Sequence, residues 1–340
     1  MTSKILITGG LGYIGSHACV ALVAAGYEIV IIDNCCTSKP RALDRLTKVL
    51  NLSPKFVLGD IRDRVLLDKV FSENSIAAVM HFAGLKDAAE SVHEPLPYFE
   101  TNVQGTVNLL QAMKHAGVNC LIFSSSAAVY GEPNQVPICE GSERLPVNPY
   151  GRSKLFVEDI LEDLFRSEPE WSIARLRYFN PAGAHSSGLI GDDPRRSPSN
   201  LIPRIAEVAS GARASVTVYG NDYATVDGTG LRDYIHVMDL AEGHVAALRR
   251  CSSGGQMLTL NLGSGSGYTV MQVVRAFEKV CARPIPLEIL PRRLGDVSQC
   301  WADITEAAKT LEWKPTRDLV AMCVAAWRWQ LNPENLTTRT

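Results

Sequence analysis

The 340-residue sequence lacks the features that mark exported, membrane-spanning or nucleic-acid-binding proteins. No apolar stretch approaches the ~20 residues that a helix needs to cross a bilayer. The chain passes from "MTSK" directly into a strand-like run, so we expect no export signal and a cytoplasmic location. Thirty-four basic and thirty-six acidic residues leave a formal net charge of −2, which argues against a general attraction to nucleic acid or an anionic membrane.

A C-x-x-C pair is also missing, although the sequence contains nine cysteines. Their scatter through apolar segments is typical of reduced thiols and not of a disulfide framework or a zinc site. We therefore predict no metal centre. Hydrophobic residues at 46% and charged residues at 21% are ordinary for a globular protein, and the chain is long enough to bury a substantial core.

Short apolar runs alternate with helix-period segments up to about residue 180. The runs are "KILIT", "EIVIID", "KFVLGD", "AAVMHFAG", "CLIFSSS" and "SIARLRYFN". Nearly continuous hydrophobic strands are buried on both faces, so this pattern predicts an α/β fold with a doubly wound parallel sheet over residues 1–180. Loop-rich and mixed segments follow, which predicts a smaller mixed α/β domain over residues 181–340, with the chain returning to the first domain around residues 233–265.

A glycine-rich turn follows the first predicted strand. Gly9, Gly12 and Gly15 stand three apart at the mouth of a helix predicted over about residues 16–25, where backbone N–H groups and the helix dipole can approach a pyrophosphate. Asp33 ends the second strand, where its carboxylate can accept hydrogen bonds from ribose hydroxyls and repel a 2′-phosphate. Because no arginine precedes Arg41, the pattern favours NAD over NADP. The alternative is a tight turn beside a capping aspartate.

Tyr150 and Lys154 are four residues apart in "NPYGRSKLFVEDI", and residues four apart on a helix share one face. Taken alone, the pair is most simply a snorkelling lysine beside a half-buried aromatic ring. An ammonium ~4 Å from the phenol would lower the pKa of Tyr150 by roughly three units at an effective dielectric near 20. The pair therefore predicts a general base. Upstream, "FSSS" ends a strand; we expect Ser124 and Ser125 to cap backbone groups and Ser126 to act with Tyr150.

These motifs resemble the extended short-chain dehydrogenase/reductase superfamily. Further phrases, "TGGLGYIGSH", "HFAGLK", "SSSAAVYG", "YFNPAGAHSSG", "GDDP", "GNDYATVDGTGLRDYIHVMDLA" and "RRLGDV", resemble the UDP-glucose 4-epimerase family over nearly the whole chain. The resemblance implies a Rossmann-type NAD domain and a UDP-sugar domain. It implies an isomerase of galactose metabolism that interconverts UDP-glucose and UDP-galactose through a 4-keto sugar while keeping its NAD bound. It also implies a homodimer that pairs helices near residues 100–116 and 150–166.

The resemblance assigns residues to three groups. The catalytic residues implied are Ser126, Tyr150 and Lys154. The cofactor-binding residues implied are Gly9, Gly12, Tyr13, Ile14, Gly15, Asp33, Asn34, Thr37, Ser38, Asp60, Ile61, Phe82, Ala83, Gly84, Lys86, Asn102, Ser126, Tyr150, Lys154 and Phe179. The substrate-binding residues implied are Lys86, Ser126, Tyr150, Asn180, Asn200, Leu201, Thr217, Val218, Tyr219, Arg232, Arg293, Asp296 and Cys300.

Some positions depart from the family pattern. Ala128 stands where a threonine is common, Thr37 replaces an asparagine, and Arg195 and Arg196 replace small or neutral residues. Related 4,6-dehydratases and decarboxylases carry a carboxyl acid/base beside the serine, where this chain has Ala127 and Ala128. A non-catalytic NAD-sensing protein is a third reading, but such proteins typically lose the Tyr–Lys pair. The resemblance implies that Arg232 and Arg293 bind the pyrophosphate of the substrate. Either arginine, taken singly, is as readily a solvated surface charge.

Cys300 occupies a position where the family carries either a bulky tyrosine or a small residue beside the sugar's 2-position. Cysteine leaves room for an N-acetyl group, so the resemblance implies that UDP-N-acetylglucosamine and UDP-N-acetylgalactosamine are also substrates. The alternative is a buried thiol packed against Trp301.

Overall fold

The computed structural model describes residues 4–195, 198, 200–293 and 296–336. The strands are β1 (Lys4–Thr8), β2 (Glu28–Asp33), β3 (Lys55–Leu58), β4 (Ile76–His81), β5 (Cys120–Ser126), β6 (Ser172–Tyr178), β7 (Asn180–Ala182), β8 (Val216–Tyr219), β9 (Leu231–His236), β10 (Gln256–Leu262), β11 (Gly267–Thr269), β12 (Leu287–Leu290) and β13 (Gln299–Cys300). The helices are α1 (Tyr13–Ala24), α2 (Arg41–Leu50), α3 (Arg64–Ser72), α4 (Ala88–His93), α5 (Pro95–Tyr98), α6 (Gly105–His115), α7 (Pro149–Ser167), α8 (Leu201–Ala209), α9 (Val237–Cys251), α10 (Val270–Cys281), α11 (Thr305–Leu311), α12 (Leu319–Leu331) and α13 (Pro333–Leu336). A π-helical turn, Phe99–Gln104, joins α5 to α6, and a 3₁₀ turn, Ala127–Val129, follows β5.

Seven strands form one parallel sheet in the order β10-β6-β5-β4-β1-β2-β3, which confirms the predicted doubly wound fold. The strand order reverses between β1 and β4. At such a reversal the connections leave in opposite directions and open a crevice at the carboxyl ends of the strands. The loops after β1, β2, β4 and β5, which hold most of the predicted cofactor and catalytic residues, meet at this edge.

Alternate residues of the central strands enter different cores. On β1, Ile5 and Ile7 pack into the core beneath α1 and α9, whereas Leu6 faces the core beneath α3, α6 and α7. All three side chains are nearly inaccessible to solvent. Complete burial of such a side chain stabilises the fold by roughly 2 kcal/mol, so a strand buried on both sides anchors two helical layers at once.

The remaining strands build smaller sheets. β9 lies between β11 and β13 and also pairs with β7, while β8 pairs with β12. Helices α8, α10 and α12 cover a separate core that contains Ile205, Phe277 and Met322. Strand β9 leads directly into α9. Strand β10, which includes the run "MLTLNL", joins the edge of the seven-stranded sheet beside β6.

Helix α1 begins earlier than the sequence pattern predicted, at Tyr13 and not near residue 16. Gly12 is its extended N-cap residue, and Gly26 (φ 87°) follows its end. All nine cysteines are free thiols. Across the described part of the chain, no helix combines the length and apolar character that spanning a bilayer requires, and no group of three or more His, Cys, Asp or Glu side chains is placed to hold a metal ion.

Candidate functional site

The glycine loop after β1 forms a cradle that only glycine fits. Gly9 has φ +70°, and a Cβ added there would stand 2.6 Å from the backbone nitrogen of Ala83. A Cβ on Gly15 would stand 2.3 Å from the carbonyl oxygen of Gly9. The N-cap Gly12 offers no side-chain acceptor, and the first turn of α1 contains no acidic residue. The N–H groups and positive dipole end of α1 therefore suit the pyrophosphate of a dinucleotide.

Asp33 lies at the end of β2, beside this cradle, and is almost buried. Its Oδ2 accepts a hydrogen bond from the backbone N–H of Leu11 at 3.0 Å, and its Oδ1 accepts from Cys35 N at 2.8 Å and Ser38 Oγ at 3.1 Å. Because a carboxylate offers about four acceptor positions, about one remains for a ribose hydroxyl. Asp33 therefore also ties the glycine loop to the loop after β2, a role that the sequence reading missed.

A long cleft runs from this cradle along the carboxyl edge of the sheet. The predicted cofactor residues that line it are Gly9, Gly12, Tyr13, Ile14, Gly15, Asp33, Asn34, Thr37, Ser38, Ile61, Phe82, Ala83, Gly84, Lys86, Tyr150 and Lys154. The predicted residues Asp60, Asn102, Ser126 and Phe179 are not part of this lining.

Asp60 and Asn102 instead contact residues that line the cleft. Asp60 accepts a hydrogen bond from Asn34 Nδ2 at 2.7 Å. The Asn102 amide bonds both backbone groups of Leu85, at 2.8 Å and 3.0 Å, and also donates to Ser153 Oγ at 2.9 Å. Asn102 therefore fixes the loop after β4 against α7.

Residues that the sequence reading did not assign close the outer side of the cleft. Leu189 to Pro194, together with Lys39, Arg45 and Trp329, line it there. The Asp193 carboxylate lies 2.6 Å from Lys39 Nζ, 2.6 Å from Arg41 Nη2 and 3.1 Å from Arg45 Nη1. We call Asp193 and these three cations the Asp193 clamp. The clamp joins segments about 150 residues apart in the chain, so no local sequence signal marks it.

Tyr150 and Lys154 project from the first two turns of α7. The Asn148 side chain caps this helix by accepting from Gly151 N at 2.8 Å. Lys154 is buried, and its Nζ donates to the carbonyl oxygen of Ser124 at 2.7 Å. Ser126 lies close enough to Tyr150 for its hydroxyl group to lower the pKa of the phenol. The structure thus brings the three predicted catalytic residues together where β5 meets α7.

The predicted direction of the pKa shift at Tyr150 is wrong for this structure. Burial raises the pKa of Tyr150, and the hydrogen bond with Ser126 opposes this only in part. Burial also lowers the pKa of Lys154 to about 8, partly offset by the negative charge of Glu158. Proximity to a lysine is therefore not enough to ionise the phenol, because both groups are removed from water.

The three serines that end β5 differ from expectation. Ser125 Oγ donates to Glu158 Oε1 at 2.5 Å. The predicted backbone-capping role is therefore wrong for Ser125. It is instead Ser126 whose Oγ accepts from a backbone group, Ala128 N, at 3.1 Å.

A second cavity lies between β7, α8, β8 and β9. The predicted substrate residues that line it are Asn180, Asn200, Leu201, Thr217, Val218, Tyr219, Arg232, Arg293 and Asp296. The Arg293 guanidinium lies 4.3 Å from the centre of the Tyr219 ring and 2.9 Å from an Asp296 carboxylate oxygen. A polar cavity with three arginines (Arg204, Arg232 and Arg293) and an aromatic face suits a nucleoside diphosphate.

The predicted substrate residues Lys86, Ser126, Tyr150 and Cys300 are not part of the lining of the second cavity. Cys300, on β13, is paired in register with Arg232 on β9. It packs against the apolar cluster that contains Val129 and Phe179. Burial raises the pKa of this thiol to about 11.

Asp192 connects the two regions. One of its carboxylate oxygens accepts from Asn200 Nδ2 at 3.1 Å, and the other lies 3.9 Å from Lys86 Nζ. Of the departures from the family pattern, Thr37 accepts from Arg195 N through its carbonyl oxygen at 3.1 Å, and Arg195 Nε donates to Ser38 O at 3.0 Å. Arg196 lies outside the described residues.

The sequence of residues 5–263 matches the NAD dependent epimerase/dehydratase family. The chain belongs to this family. A UDP-glucose 4-epimerase of Yersinia pestis is 52% identical over 332 residues, 97% of this chain and 98% of that protein.

Solved structures of other family proteins superpose closely on this one. The UDP-glucose 4-epimerase of Bifidobacterium longum in complex with NAD+ and UDP has a TM-score of 0.95 and 46% identity, covering 98% of this chain and 99% of that one. The enzyme of Stenotrophomonas maltophila with bound NAD and formylated UDP-arabinopyranose has a TM-score of 0.94 and 47% identity, covering 96% and 98%. The family and the fold therefore agree with the resemblance drawn from the motifs.

Proposed function

We propose that this protein is a UDP-glucose 4-epimerase that interconverts UDP-glucose and UDP-galactose with NAD held in its cleft. The observation that carries the proposal is the grouping of Tyr150 and Lys154 beside Ser126, at the end of a cleft that suits a dinucleotide. Residues 1–180 form the NAD-binding domain and residues 181–340 the UDP-sugar domain, with the chain returning to the first domain around residues 233–265.

The cradle of Gly9, Gly12 and Gly15 holds the pyrophosphate of NAD against α1, and Asp33 binds the adenosine ribose. Four of the residues proposed for the cofactor site are not part of the cleft lining: Asp60, Asn102, Ser126 and Phe179. Of these, Asp60 and Asn102 stabilise the cleft walls. When bound, NAD supplies a reversible hydride acceptor and a positive charge at its nicotinamide ring.

Tyr150 moves the proton of the sugar's 4-hydroxyl group. The raised pKa of this phenol keeps it protonated at neutral pH, which suits the return of a proton to the oxygen on C4. Removal of that proton requires a positive charge near the phenol. Lys154 contributes such a charge below about pH 8, where it is an ammonium. Ser126 orients the phenol and shares the proton.

The second cavity holds the UDP portion of the substrate. Arg232 and Arg293 bind the pyrophosphate, Tyr219 and Leu201 contact the uridine, and Asp296 binds its ribose. A firm hold on UDP leaves the sugar free to present either face of C4 to the same cofactor, which an inversion without net oxidation requires.

We further propose that N-acetylated UDP-sugars are substrates. Cys300 packs against the apolar cluster that contains Phe179 and is paired in register with Arg232. A cysteine side chain is smaller than tyrosine by most of an aromatic ring, which leaves room for the N-acetyl group at the sugar's 2-position.

A homodimer is proposed through helices near residues 100–116 and 150–166, beside an exposed apolar surface formed by α4, α5 and α7. Leu96 is 71% exposed, Val92 58% and Phe156 45%, and the Phe156 ring contacts Phe99. Clustered apolar side chains of this kind are typical of protein interfaces. Light scattering at the mass of two chains would support the dimer, and scattering at the mass of one chain would refute it.

The decisive experiment incubates the purified protein with UDP-galactose and measures UDP-glucose without added NAD. Formation of UDP-glucose supports the epimerase with resident cofactor. No interconversion after NAD is supplied would contradict it. A 4-keto-6-deoxy sugar product would favour a dehydratase, and release of carbon dioxide from added UDP-glucuronic acid would favour a decarboxylase, although Ala127 and Ala128 offer no carboxyl group for either reaction.

A further inference from the structure

A buried ion pair lies behind the catalytic residues. Glu158 and Arg177 are 0% and 2% exposed. The Arg177 guanidinium donates to Glu158 through Nε at 2.9 Å and Nη2 at 2.6 Å. Burying two charges costs free energy that their attraction often only balances, so such a pair can frequently be replaced by apolar residues without loss of stability. Stability alone therefore gives a weak reason for Glu158 to be charged.

Glu158 belongs to the same face of α7 as the catalytic pair. It follows Lys154 by four residues and Tyr150 by eight, and positions four apart on a helix lie one above the other. The three side chains thus form one column along α7, and Glu158 is the member nearest the C-terminus of the helix.

Two hydrogen bonds tie this column to the end of β5. Lys154 Nζ donates to Ser124 O at 2.7 Å, and Ser125 Oγ donates to Glu158 Oε1 at 2.5 Å. Consecutive residues of the strand are therefore held by residues one helical turn apart. Ser126 is the next residue of β5, so both ties restrict its position relative to Tyr150.

Arg177 extends the tie to a third element. It lies on β6, paired in register with Ser125. Its Nη1 also donates to Tyr130 OH at 2.9 Å and to Glu140 O at 2.9 Å. The guanidinium is thus fixed from several sides and presents two donors to Glu158.

Glu158 also sets the charge environment of Lys154. The titratable and charged groups around Lys154 and Glu158 are His81 on β4, Tyr150 on α7, Arg175, Arg177 and Tyr178 on β6, and Arg144 on the loop before α7. Burial lowers the pKa of His81 to about 3 and raises that of Tyr178 well above its ordinary value, so both are neutral near pH 7. Among these groups, Glu158 is the anion that favours the ammonium form of Lys154.

We propose that Glu158 is a positioning residue for the epimerase reaction, which fixes Ser126 relative to Tyr150 through Ser125 and keeps Lys154 charged. This rests on the proposed function, because it assigns Glu158 a part in the proton transfer by Tyr150. Glu158 does not contact the substrate cavity or the dinucleotide cleft and acts through its neighbours.

The charge is tested with Glu158→Gln, which keeps the shape of the side chain. Removing a negative charge about 6 Å from Lys154 at an effective dielectric near 20, while leaving Arg177 unpaired, should lower the pKa of Lys154 by about one to two units. The alkaline limb of the kcat–pH profile, where activity falls as Lys154 loses its proton, should shift to lower pH by the same amount. ¹³C NMR of labelled lysine, with the Lys154 signal assigned by its loss in Lys154→Met, measures that pKa without any turnover. Glu158→Asp, which keeps the charge, should restore the wild-type limb.

A separate variant, Ser125→Ala, tests whether Glu158 positions Ser126. This variant leaves the Glu158–Arg177 ion pair intact, so it can be measured even if Glu158→Gln does not fold. We expect kcat to fall by about tenfold with KM and NAD content unchanged and with the pH profile unmoved. Glu162→Gln is the matched control, since Glu162 lies one turn further along α7 in partly exposed ion pairs with Arg166 and Arg175. This variant should behave as the wild type.

A wild-type kcat in Ser125→Ala would overturn the positioning role. An unchanged Lys154 pKa in Glu158→Gln, or the same shift in Glu162→Gln, would overturn the charge role. If the proposed function itself is wrong, the wild-type protein will not interconvert the two UDP-sugars. The NMR titrations will then still show the predicted order of Lys154 pKa values among the variants.

Discussion

Replacing Asp193 by asparagine should speed the release of NAD from the holoenzyme. The Asp193 clamp holds residues 189–195 over the outer side of the dinucleotide cleft. Its carboxylate accepts from Lys39, Arg41 and Arg45, and every member of the clamp is more than two-thirds buried. Asparagine keeps the size and one acceptor oxygen but removes the charge.

The free energy lost on replacing Asp193 by asparagine should lie between two known limits. An exposed ion pair contributes at most about 1 kcal/mol, whereas breaking a fully buried pair costs about 3–5 kcal/mol. For a partly buried carboxylate with three cationic partners we expect a loss of about 2–3 kcal/mol. If residues 189–195 must undock before NAD leaves, this predicts release faster by about 30- to 150-fold.

The assay exchanges bound NAD for labelled NAD and follows the label on the protein with time. Asp222→Asn is the matched control, because Asp222 pairs with Arg292 at 2.7 Å on the exposed surface away from the cleft, and its release rate should equal that of the wild type. Equal rates for Asp193→Asn and the wild type would refute the idea that the clamp retains the cofactor.

Release of NAD should also depend on pH through the same carboxylate. Burial opposes ionisation of Asp193, but hydrogen bonds from Lys39 and Arg41 outweigh it, so the pKa of Asp193 is lowered. A carboxyl group with a depressed folded-state pKa contributes stability above its ordinary pKa, and that stability is lost as the pH falls through the folded-state value. Wild-type release should therefore accelerate in acid below about pH 4, and Asp193→Asn should lack this acceleration.

Three further predictions concern the catalytic chemistry. Tyr150→Phe should retain NAD but lower kcat by about 10²- to 10⁴-fold, since the proton-transferring group is lost and the ring remains; near-normal turnover at neutral pH would identify another group as the base. The wild-type kcat should decline above about pH 8 as Lys154 loses its proton, and a profile that stays level to pH 10 would contradict a need for that charge. Cys300→Tyr should abolish conversion of N-acetylated UDP-sugars and spare the glucose pair, as measured by product chromatography; retained N-acetyl activity would remove Cys300 as the specificity residue.

The local pattern of residues was enough to predict the parallel sheet. Runs such as "KILIT" and "EIVIID" are apolar on both faces, and only a strand covered by helices on both sides can bury them. The positions of Gly9, Gly12 and Gly15 were likewise legible, because a turn between a strand and a helix leaves no space for a Cβ at Gly9 and Gly15. The four-residue spacing of Tyr150 and Lys154 predicted that they share one helix face, because this relation depends only on helical geometry.

Tertiary structure decided whatever depends on burial and on residues distant in sequence. The Asp193 clamp joins residues 39–45 to residue 193, and Glu158 meets Arg177 from a neighbouring strand. The pKa of Tyr150 is shifted opposite to the sequence prediction because burial, which no spacing reveals, raises it. Chain periodicity reports which face of an element is apolar, but the energy of a charge depends on its distance from water and from every other charge in the folded protein.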